Sequence, residues 1–151
     1  MDNKQLLINF YAAFAAGDAE GMVACYSDDI EFTDPAFGLQ IGENAKNMWR
    51  MLLKNPDIKV TVSNIEANEK TGSANWVAVY TFSRTGRKVT NRVSAKFEFG
   101  GGKITKHTDY FNIWKWAGQA MGIKGYLLGW TPLMQNGIHK QAVMMLTRFN
   151  I

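Results

Sequence analysis

The sequence of 151 residues predicts an α+β fold in which helices come first, an antiparallel sheet follows and a helical tail ends the chain. Three patterns predict this order. Apolar residues recur at helical spacing up to about residue 54, alternate with polar residues from 58 to 113, and return to helical spacing from 114 onward. Because helices and strands are grouped and do not alternate along the chain, a parallel doubly wound sheet is excluded.

The first two helices are read from apolar spacing and from caps. A helix over residues 4–16 has one apolar stripe, formed by Leu6, Leu7, Phe10, Tyr11 and Phe14. Gly17 ends this helix, since glycine readily adopts the left-handed conformation of a helix C-cap. Asp18 can cap a short second helix, which ends at the polar residues 27–29.

A short strand and a third helix follow. The strand over residues 30–33 ends at Asp34 and Pro35. Proline keeps the preceding residue extended, so Asp34 is held at a fixed position at the strand end. The third helix covers about residues 43–54 and is ended by the Asn55-Pro56 pair.

Four long strands are predicted over residues 58–68, 73–83, 88–99 and 103–113, joined by glycine-containing turns that suit antiparallel hairpins. Apolar and polar residues alternate cleanly in the third of them, so the sheet covers a core on one face only. A helix over 114–121, a linker punctuated by Gly122, Gly125 and Gly129, and a last helix over 132–149 complete the chain. Pro132 stands in the first turn of that last helix, where a missing N–H costs little.

Composition restricts the classes of protein. Apolar residues make up 46% of the chain and charged residues 20%, which is typical of a folded domain. The single cysteine, Cys25, excludes an internal disulfide, and neither a signal peptide nor a membrane-spanning run is found. The net charge of +4 is modest, and we expect it to be spread along the chain. We therefore expect one cytoplasmic domain over residues 1–151, with no nucleic-acid partner and no membrane partner.

Polar residues on apolar faces form the candidate site. Thr105, His107 and Asp109 share the inward face of the last strand, because the intervening lysine and threonine suit solvent. Asn91 is the single amide in an apolar row, and Asp34 stands among aromatic residues. Burying such groups unpaired costs several kcal/mol. Together they predict a polar spot in an apolar cavity, which is typical of a small-molecule site.

Each of these residues also has a structural interpretation. Asp34 before proline can simply form a turn, His107 and Asp109 can be a satisfied pair, and Asn91 can bond a loop backbone. The two histidines, His107 and His139, lie far apart with no cysteine near them, so no metal site is predicted.

Three stretches near the start of the chain carry a family resemblance. Residues 10–18 (FYAAFAAGD), 22–29 (MVACYSDD) and 31–35 (EFTDP) resemble the opening of ketosteroid isomerases and of the wider SnoaL-like, nuclear-transport-factor-2-like superfamily. The resemblance covers roughly residues 4–113. It implies a cone-shaped, curved antiparallel sheet packed on the N-terminal helices around an apolar pocket. Residues 114–151 go beyond the isomerases as a helical C-terminal extension that either caps the pocket or reaches a partner.

The resemblance also implies roles for single residues. Asp34 matches the catalytic base of the isomerases, and burial would raise its basicity toward neutral pH. The two oxyanion donors of the isomerases are missing, because their positions hold Phe10 and Ala95, and Tyr11 lies roughly 100° around the helix from Phe10. Losing both donors argues against steroid isomerisation. The inward pair on the last strand would replace them from another wall of the cone.

We therefore expect a SnoaL-like enzyme of isomerase, cyclase or hydrolase type that binds a small apolar carbonyl- or hydroxyl-bearing ligand without a metal or an organic cofactor. Its predicted catalytic residues are Asp34, His107 and Asp109, and its predicted ligand-binding residues are Phe10, Phe14, Tyr26, Trp49, Trp76, Tyr80, Asn91 and Trp114. The alternative is a non-catalytic ligand-binding or assembly module of the same fold. The superfamily commonly dimerises through its sheet, whose solvent face carries Val77 and Val79, so we expect a homodimer.

Overall fold

A computed structural model describes residues 2–150, and this part of the chain contains six helices and six strands. In chain order they are α1 (Asn3–Ala15), α2 (Ala19–Val23), β1 (Tyr26–Asp34), β2 (Gly38–Ile41), α3 (Glu43–Leu52), β3 (Lys59–Ala67), β4 (Thr71–Phe82), β5 (Arg87–Gly100), β6 (Lys103–Tyr110), α4 (Ile113–Met121), α5 (Ile123–Leu128) and α6 (Pro132–Phe149). The predicted α+β class, with N-terminal helices, a curved sheet and C-terminal helices, is confirmed. No helix within residues 2–150 is long and apolar enough to cross a membrane.

The six strands form one sheet in the order β2-β1-β6-β5-β4-β3. All neighbours are antiparallel except β1 and β6, which run parallel. The expectation of a purely antiparallel sheet is corrected at this pair. The whole meander separates β1 from β6 in sequence, so no hairpin fixes their relative direction. Strand β2 was also missed, because its four residues are too few to show an alternation.

A bulge in β6 sets which side chains face the core. Glu98 pairs with Lys106 and Phe99 with Ile104, so Thr105 is an extra residue in the ladder. The Thr105 hydroxyl donates to the Glu98 carbonyl outside the core, so its predicted inward position is wrong. The residues of β6 that face inward are Ile104, His107 and Asp109.

Aromatic rings fill the space between α1, α3 and the inner face of the sheet. Phe10 and Phe14 of the α1 stripe lie against Phe97 of β5 and Trp76 of β4, with ring centroids 6.2 and 5.1 Å apart. Trp49 of α3 packs edge-on against the same Phe14 ring at 5.0 Å. Edge-to-face pairs of this kind stabilise a core beyond their buried area. We call these packed rings the aromatic floor, because the candidate site lies directly against them.

The C-terminal extension folds back on its own chain. The backbone N–H of Thr90 donates to the Gln119 side chain over 2.8 Å, which holds α4 against β5. Asn150 forms amide hydrogen bonds of 2.8 Å with both Asn44 and Asn47 of α3, which hold the end of α6. Of the two arrangements expected for the extension, the structure shows contacts that cover its own sheet and helices.

The segment predicted as a linker between α4 and α6 contains helix α5. Gly122 has a φ of +73° and separates α4 from α5. Gly125 lies inside α5, where a Cβ would collide with the Ala117 carbonyl of α4. The linker prediction was wrong because Gly125 was read as a breaker, whereas it allows two helices to approach closely.

We predict that Gly125→Ala loosens the extension. The added methyl group has no room beside Ala117, so α4 and α5 must separate, at a cost of about 1–3 kcal/mol. Gly137→Ala in α6 is the matched control, because its Cβ would meet open space and alanine favours a helix by about 1 kcal/mol. Thermal unfolding followed by circular dichroism should show a lower Tm for Gly125→Ala and an equal or higher Tm for Gly137→Ala. Equal increases for both variants would contradict the close packing.

Candidate active site

A cavity of about 1040 Å³ lies between the inner face of the sheet, α3 and the C-terminal extension. Most of its wall is apolar, and each of the three C-terminal helices contributes to it. The extension supplies Trp116, Met121, Leu128, Met134, Ile138 and Met145. Among the acid and amide side chains on the inner wall are Asp34, Asn91 and Asp109. The cavity is thus an apolar chamber with a small number of polar groups, which is the usual composition of a small-molecule site.

Asp34 ends β1, and the following proline starts a tight turn. Its Oδ1 accepts the backbone N–H groups of Ala36 and Phe37 over 2.9 and 2.6 Å. Burial raises the pKa of Asp34 to about 7, and the negative charge of Asp109 adds to the rise, while the two backbone N–H donors oppose it. The turn therefore holds one oxygen of a carboxyl group that titrates near neutral pH. Oδ2 has no hydrogen-bond partner within residues 2–150.

A chain of buried hydrogen bonds connects α3 to Asp109. The Trp49 indole N–H donates to the Tyr26 hydroxyl over 2.8 Å, and that hydroxyl lies 2.7 Å from Nδ1 of His107. Nε2 of His107 lies 2.8 Å from Oδ1 of Asp109, which also accepts the Trp76 indole N–H over 3.4 Å. Four elements, α3, β1, β6 and β4, therefore contribute to holding one carboxylate.

The donors and acceptors of this chain fit one tautomer. An indole N–H can only donate, so the Tyr26 oxygen accepts from Trp49 and its own hydrogen points to Nδ1 of His107. The imidazole then carries its proton on Nε2 and donates it to Asp109. In this arrangement each polar hydrogen of the chain has an acceptor, which is what a buried network requires. The Asp109 carboxylate is oriented through Oδ1, and its Oδ2 accepts no hydrogen bond within the described part of the chain.

Tyr80 is a further polar group on the wall. Its hydroxyl accepts the Trp116 indole N–H over 2.8 Å, so its own hydrogen stays available for another acceptor. Burial raises the pKa of Tyr80, so the group stays an O–H donor at neutral pH. The Asn91 amide lies on the neighbouring strand β5 and has no side-chain hydrogen bond within residues 2–150. The strands of the inner wall thus carry two acids, Asp34 and Asp109, together with the donors of Tyr80 and Asn91.

Comparison with known proteins assigns the family. Residues 7–107 match the family model of the SnoaL-like domain. The chain belongs to the SnoaL-like family. No protein of curated function matches it.

Solved structures share the fold of this SnoaL-like chain at low sequence identity. A candidate polyketide cyclase from Pseudomonas putida is 23% identical, with a TM-score of 0.65, over 80% of this chain and 98% of that one. AclR, a candidate hydroxylase from Streptomyces galilaeus, is 21% identical, with a TM-score of 0.64, over 83% and 96%. An NTF2-like protein of unknown function from Burkholderia pseudomallei is 19% identical, with a TM-score of 0.61, over 74% and 92%. At these identities the likeness concerns the fold.

Seven of the predicted site residues of this SnoaL-like protein line the cavity. They are Phe14, Asp34, Trp49, Trp76, Tyr80, Asn91 and Asp109. Phe10, Tyr26 and His107 are fully buried behind the wall, where His107 stacks on the Phe97 ring at 4.4 Å. Their predicted direct contact with a ligand is corrected, because the aromatic floor separates them from the cavity. His107 can act only through Asp109.

Trp114 is the fourth predicted site residue that does not line the cavity. It is 45% exposed and donates its indole N–H to the Tyr126 carbonyl over 2.8 Å. Trp116, two residues later, lines the cavity in its place. Residues two apart on a helix point about 200° apart, so only one of the two tryptophans can face inward. The sequence shows two tryptophans, Trp114 and Trp116. The rotation of α4 about its own axis, relative to the sheet, determines which of the two lines the cavity.

The oxyanion positions of the isomerases are apolar in this SnoaL-like protein, as the sequence indicated. Phe10 and Ala95 are both buried. Ala95 pairs directly with Asp109 across the β5–β6 ladder. The carboxyl group of Asp109, on the neighbouring strand β6, therefore lies beside the position of the missing oxyanion donor at Ala95. Tyr11 is buried, and its hydroxyl has no hydrogen-bond partner within residues 2–150.

We predict that Asp34→Asn stabilises the protein at high pH. The folded pKa of about 7 lies above the unfolded value of about 4, so the folded state binds more protons between these values. The contribution of Asp34 to stability therefore falls as pH rises through that window and stays low above it. Asparagine keeps an oxygen for the two backbone N–H groups but has no charge to bury. Its free energy of unfolding should exceed that of wild type by up to about 4 kcal/mol at pH 8, because each unit of the pKa difference corresponds to about 1.4 kcal/mol.

Urea unfolding at pH 4, 6 and 8 measures this effect. The difference between variant and wild type should be close to zero at pH 4 and should grow with pH. The exposed Asp29→Asn variant is the control for the loss of one negative charge. A constant difference across the pH series would show that Asp34 titrates as it does in the unfolded chain.

Proposed function

We propose that this protein binds a small apolar metabolite with a carbonyl or hydroxyl group in its cavity and catalyses a proton transfer on it, as an isomerase or a cyclase would. The observation that carries the proposal is that two carboxyl groups, Asp34 and Asp109, face one mainly apolar cavity. Neighbouring structures described as a candidate polyketide cyclase and a candidate hydroxylase support small-molecule chemistry on this fold. The proposal rests on the site itself, because fold alone does not determine function.

Asp34 is the proposed base. A base is most effective when its pKa is close to the working pH, and burial brings the pKa of Asp34 to about 7. The backbone turn holds Oδ1 and leaves Oδ2 free for the substrate. Asp34 can therefore take a proton from a carbon next to a carbonyl and can return it to another carbon.

The developing negative charge needs hydrogen-bond donors. When Asp34 removes the proton, the C–H electron pair moves into the carbonyl group and an enolate oxygen forms. Tyr80 and Asn91, whose donors are free, are the proposed partners of this oxygen, on strands β4 and β5. Such donors act strongly in a cavity with little water. Where the substrate has a C=C bond conjugated with the enolate, the protonated Asp34 returns the proton to the far γ-carbon, the enolate electrons shift the double bond into conjugation with the re-formed carbonyl, and the base is restored, which completes an isomerisation.

Asp109 is the proposed second acid–base group, and His107 its positioning residue. His107 and Trp76 hold Oδ1 of Asp109, so that Oδ2 can accept a substrate hydroxyl or its proton. The negative charge of Asp109 also contributes to the raised pKa of Asp34, which couples the two groups electrostatically.

The alternative function is a ligand-binding module without catalysis. One observation favours it: the hydrogen bonds of Trp49, Tyr26 and His107 are all satisfied by one another and by Asp109. A closed network of this kind also suits a purely structural role. In that case the cavity would hold a ligand, and removing either carboxylate would change affinity or stability but no reaction.

We predict that the protein accelerates hydrogen exchange at the carbon beside a ketone. β-Tetralone, an aromatic cyclic ketone with acidic α-protons, is incubated in deuterated buffer and followed by proton NMR. Wild type should accelerate loss of the α-proton signal, with a rate that rises with pH through about 7 as Asp34 ionises. Asp34→Asn should slow the exchange by about 10²-fold or more.

Two comparisons make this test decisive. Asp29→Asn, a surface variant of the same charge change, should exchange at the wild-type rate. Equal rates for wild type and Asp34→Asn would remove Asp34 from the mechanism. The ligand-binding module would be favoured by two results together. The protein would accelerate hydrogen exchange in none of a panel of ketones, and native mass spectrometry would show a copurified small molecule.

We further predict a homodimer formed through the solvent face of the sheet. Val77 and Val79 of β4 are half-buried on that face and offer an apolar contact. Size-exclusion chromatography with light scattering should give twice the 17.0 kDa of one chain at micromolar concentration. Val77→Arg should shift the protein toward monomer, whereas Ile8→Ser on α1 should not. A wild type that stays monomeric would contradict the prediction.

A further inference from the structure

The C-terminal extension presents large apolar side chains to solvent. We call the exposed set of Trp114, Ile123, Tyr126, Leu127, Trp130 and Leu133 the apolar patch. Ile123 and Leu133 are 79% and 85% exposed. Single exposed apolar residues are ordinary, but six in one short segment mark an interaction surface.

Two hydrogen bonds join four members of the apolar patch in pairs. The Trp114 indole N–H donates to the Tyr126 carbonyl over 2.8 Å, and the Trp130 indole N–H donates to the Leu127 carbonyl over 3.0 Å. The Tyr126 ring lies against Gly118 of α4, where a Cβ would come within 2.9 Å. Both exposed indoles therefore have their polar atom satisfied inside the protein. What they present to the outside is apolar ring surface.

The net positive charge of the protein lies in the same extension. After Asp109 the sequence has no Asp or Glu, and it has four basic residues, Lys115, Lys124, Lys140 and Arg148. The chain has 17 Lys and Arg and 13 Asp and Glu in total, so the part up to Asp109 is balanced. The net charge of +4 therefore lies entirely in the extension, which corrects its description as spread along the chain.

We propose that the extension binds the surface of an anionic lipid bilayer through the apolar patch. Exposed Trp, Tyr, Leu and Ile in an extension whose charged side chains are all Lys and Arg form the combination that places a segment in the headgroup region of a membrane. Basic residues near the surface add attraction to anionic lipids. The sequence predicted no membrane partner because it has no spanning segment, and binding at the surface requires none.

A second copy of the chain fits the apolar patch less well. A symmetric dimer places the same patch against itself, so the basic residues of the two extensions would face one another without any acidic residue of the extension between them. Like charges in an interface disfavour association. An anionic surface offers the opposite charge together with an apolar layer, and thus matches both properties of the extension.

The apolar patch adjoins the cavity. Leu133 belongs to the patch and also lines the cavity, and Lys124 and Leu128, which directly follow the patch residues Ile123 and Leu127, line the cavity too. A protein docked through the patch would hold the cavity wall next to the bilayer, where an apolar metabolite dissolves. This last step rests on the proposed function, whereas the membrane contact itself does not depend on whether the protein catalyses a reaction.

Sedimentation with lipid vesicles tests the proposal on the full-length protein. Vesicles of phosphatidylcholine containing about one quarter phosphatidylglycerol should pellet the wild type, and vesicles of pure phosphatidylcholine should pellet much less of it. The double variant Ile123→Ser, Leu127→Ser should bind about tenfold more weakly or worse, because two leucine-sized groups are lost from the contact. Lys124→Glu and high salt should weaken binding in the same direction.

Matched controls separate the patch from general hydrophobicity. Ile8→Ser, Ile41→Ser removes two exposed apolar residues outside the extension and should pellet like the wild type. Equal pelleting of the patch variant and the wild type, or no pelleting of the wild type, would overturn the proposal. Equal pelleting with both vesicle types would overturn the choice of an anionic surface. A dimer that the patch variant converts to monomer would make the patch an interface between copies and would also overturn it.

Discussion

Keeping carboxyl groups in an apolar cavity is the physical constraint on which the rest of this structure depends. Removing a carboxylate from water is costly, and the cost is met here in two different ways. Asp109 is compensated by an imidazole and an indole that donate to one of its oxygens. Asp34 receives only two backbone N–H groups, and it responds by a pKa raised to about 7. Asp109 is thus held by side chains of the core, whereas Asp34 is held only by a backbone turn and has a raised pKa.

The hydrogen bond from His107 to Asp109 connects the candidate site to the packed aromatic core. Its hydrogen-bond partner His107 is enclosed by the rings of Phe32, Phe97 and Trp49, with centroids 4.4 to 6.2 Å away. The imidazole therefore cannot turn without disturbing the packing of α3 and two strands. Side chains locked by packing keep a functional group oriented before a substrate arrives. For this reason Phe10, Tyr26 and His107 matter to the site although they do not reach the cavity.

Sequence patterns predicted the parts of the fold and site that local rules determine. Asp34 stands before a proline, and His107 and Asp109 interrupt an inward face, so their placement follows from period and turn chemistry alone. The bulge at Thr105, the parallel pairing of β1 with β6, and the choice of Trp116 over Trp114 depend on contacts between segments far apart in the chain. The prediction of a linker between α4 and α6 is wrong for the same reason. Gly125 is explained by a carbonyl of another helix, which no local pattern around residue 125 contains.

The extension distinguishes this protein from the general SnoaL-like pattern. The family match ends at residue 107, yet α4, α5 and α6 supply a large share of the cavity wall. The two carboxyl groups lie on β1 and β6, in or next to the matched part, whereas the apolar surface that a ligand would contact comes in large measure from outside it. A change in the extension can therefore alter which ligand fits without moving the acid and base groups. Because the same extension carries the net positive charge and the exposed aromatic rings, the proposed choice of ligand and the proposed membrane contact would both depend on residues after Asp109.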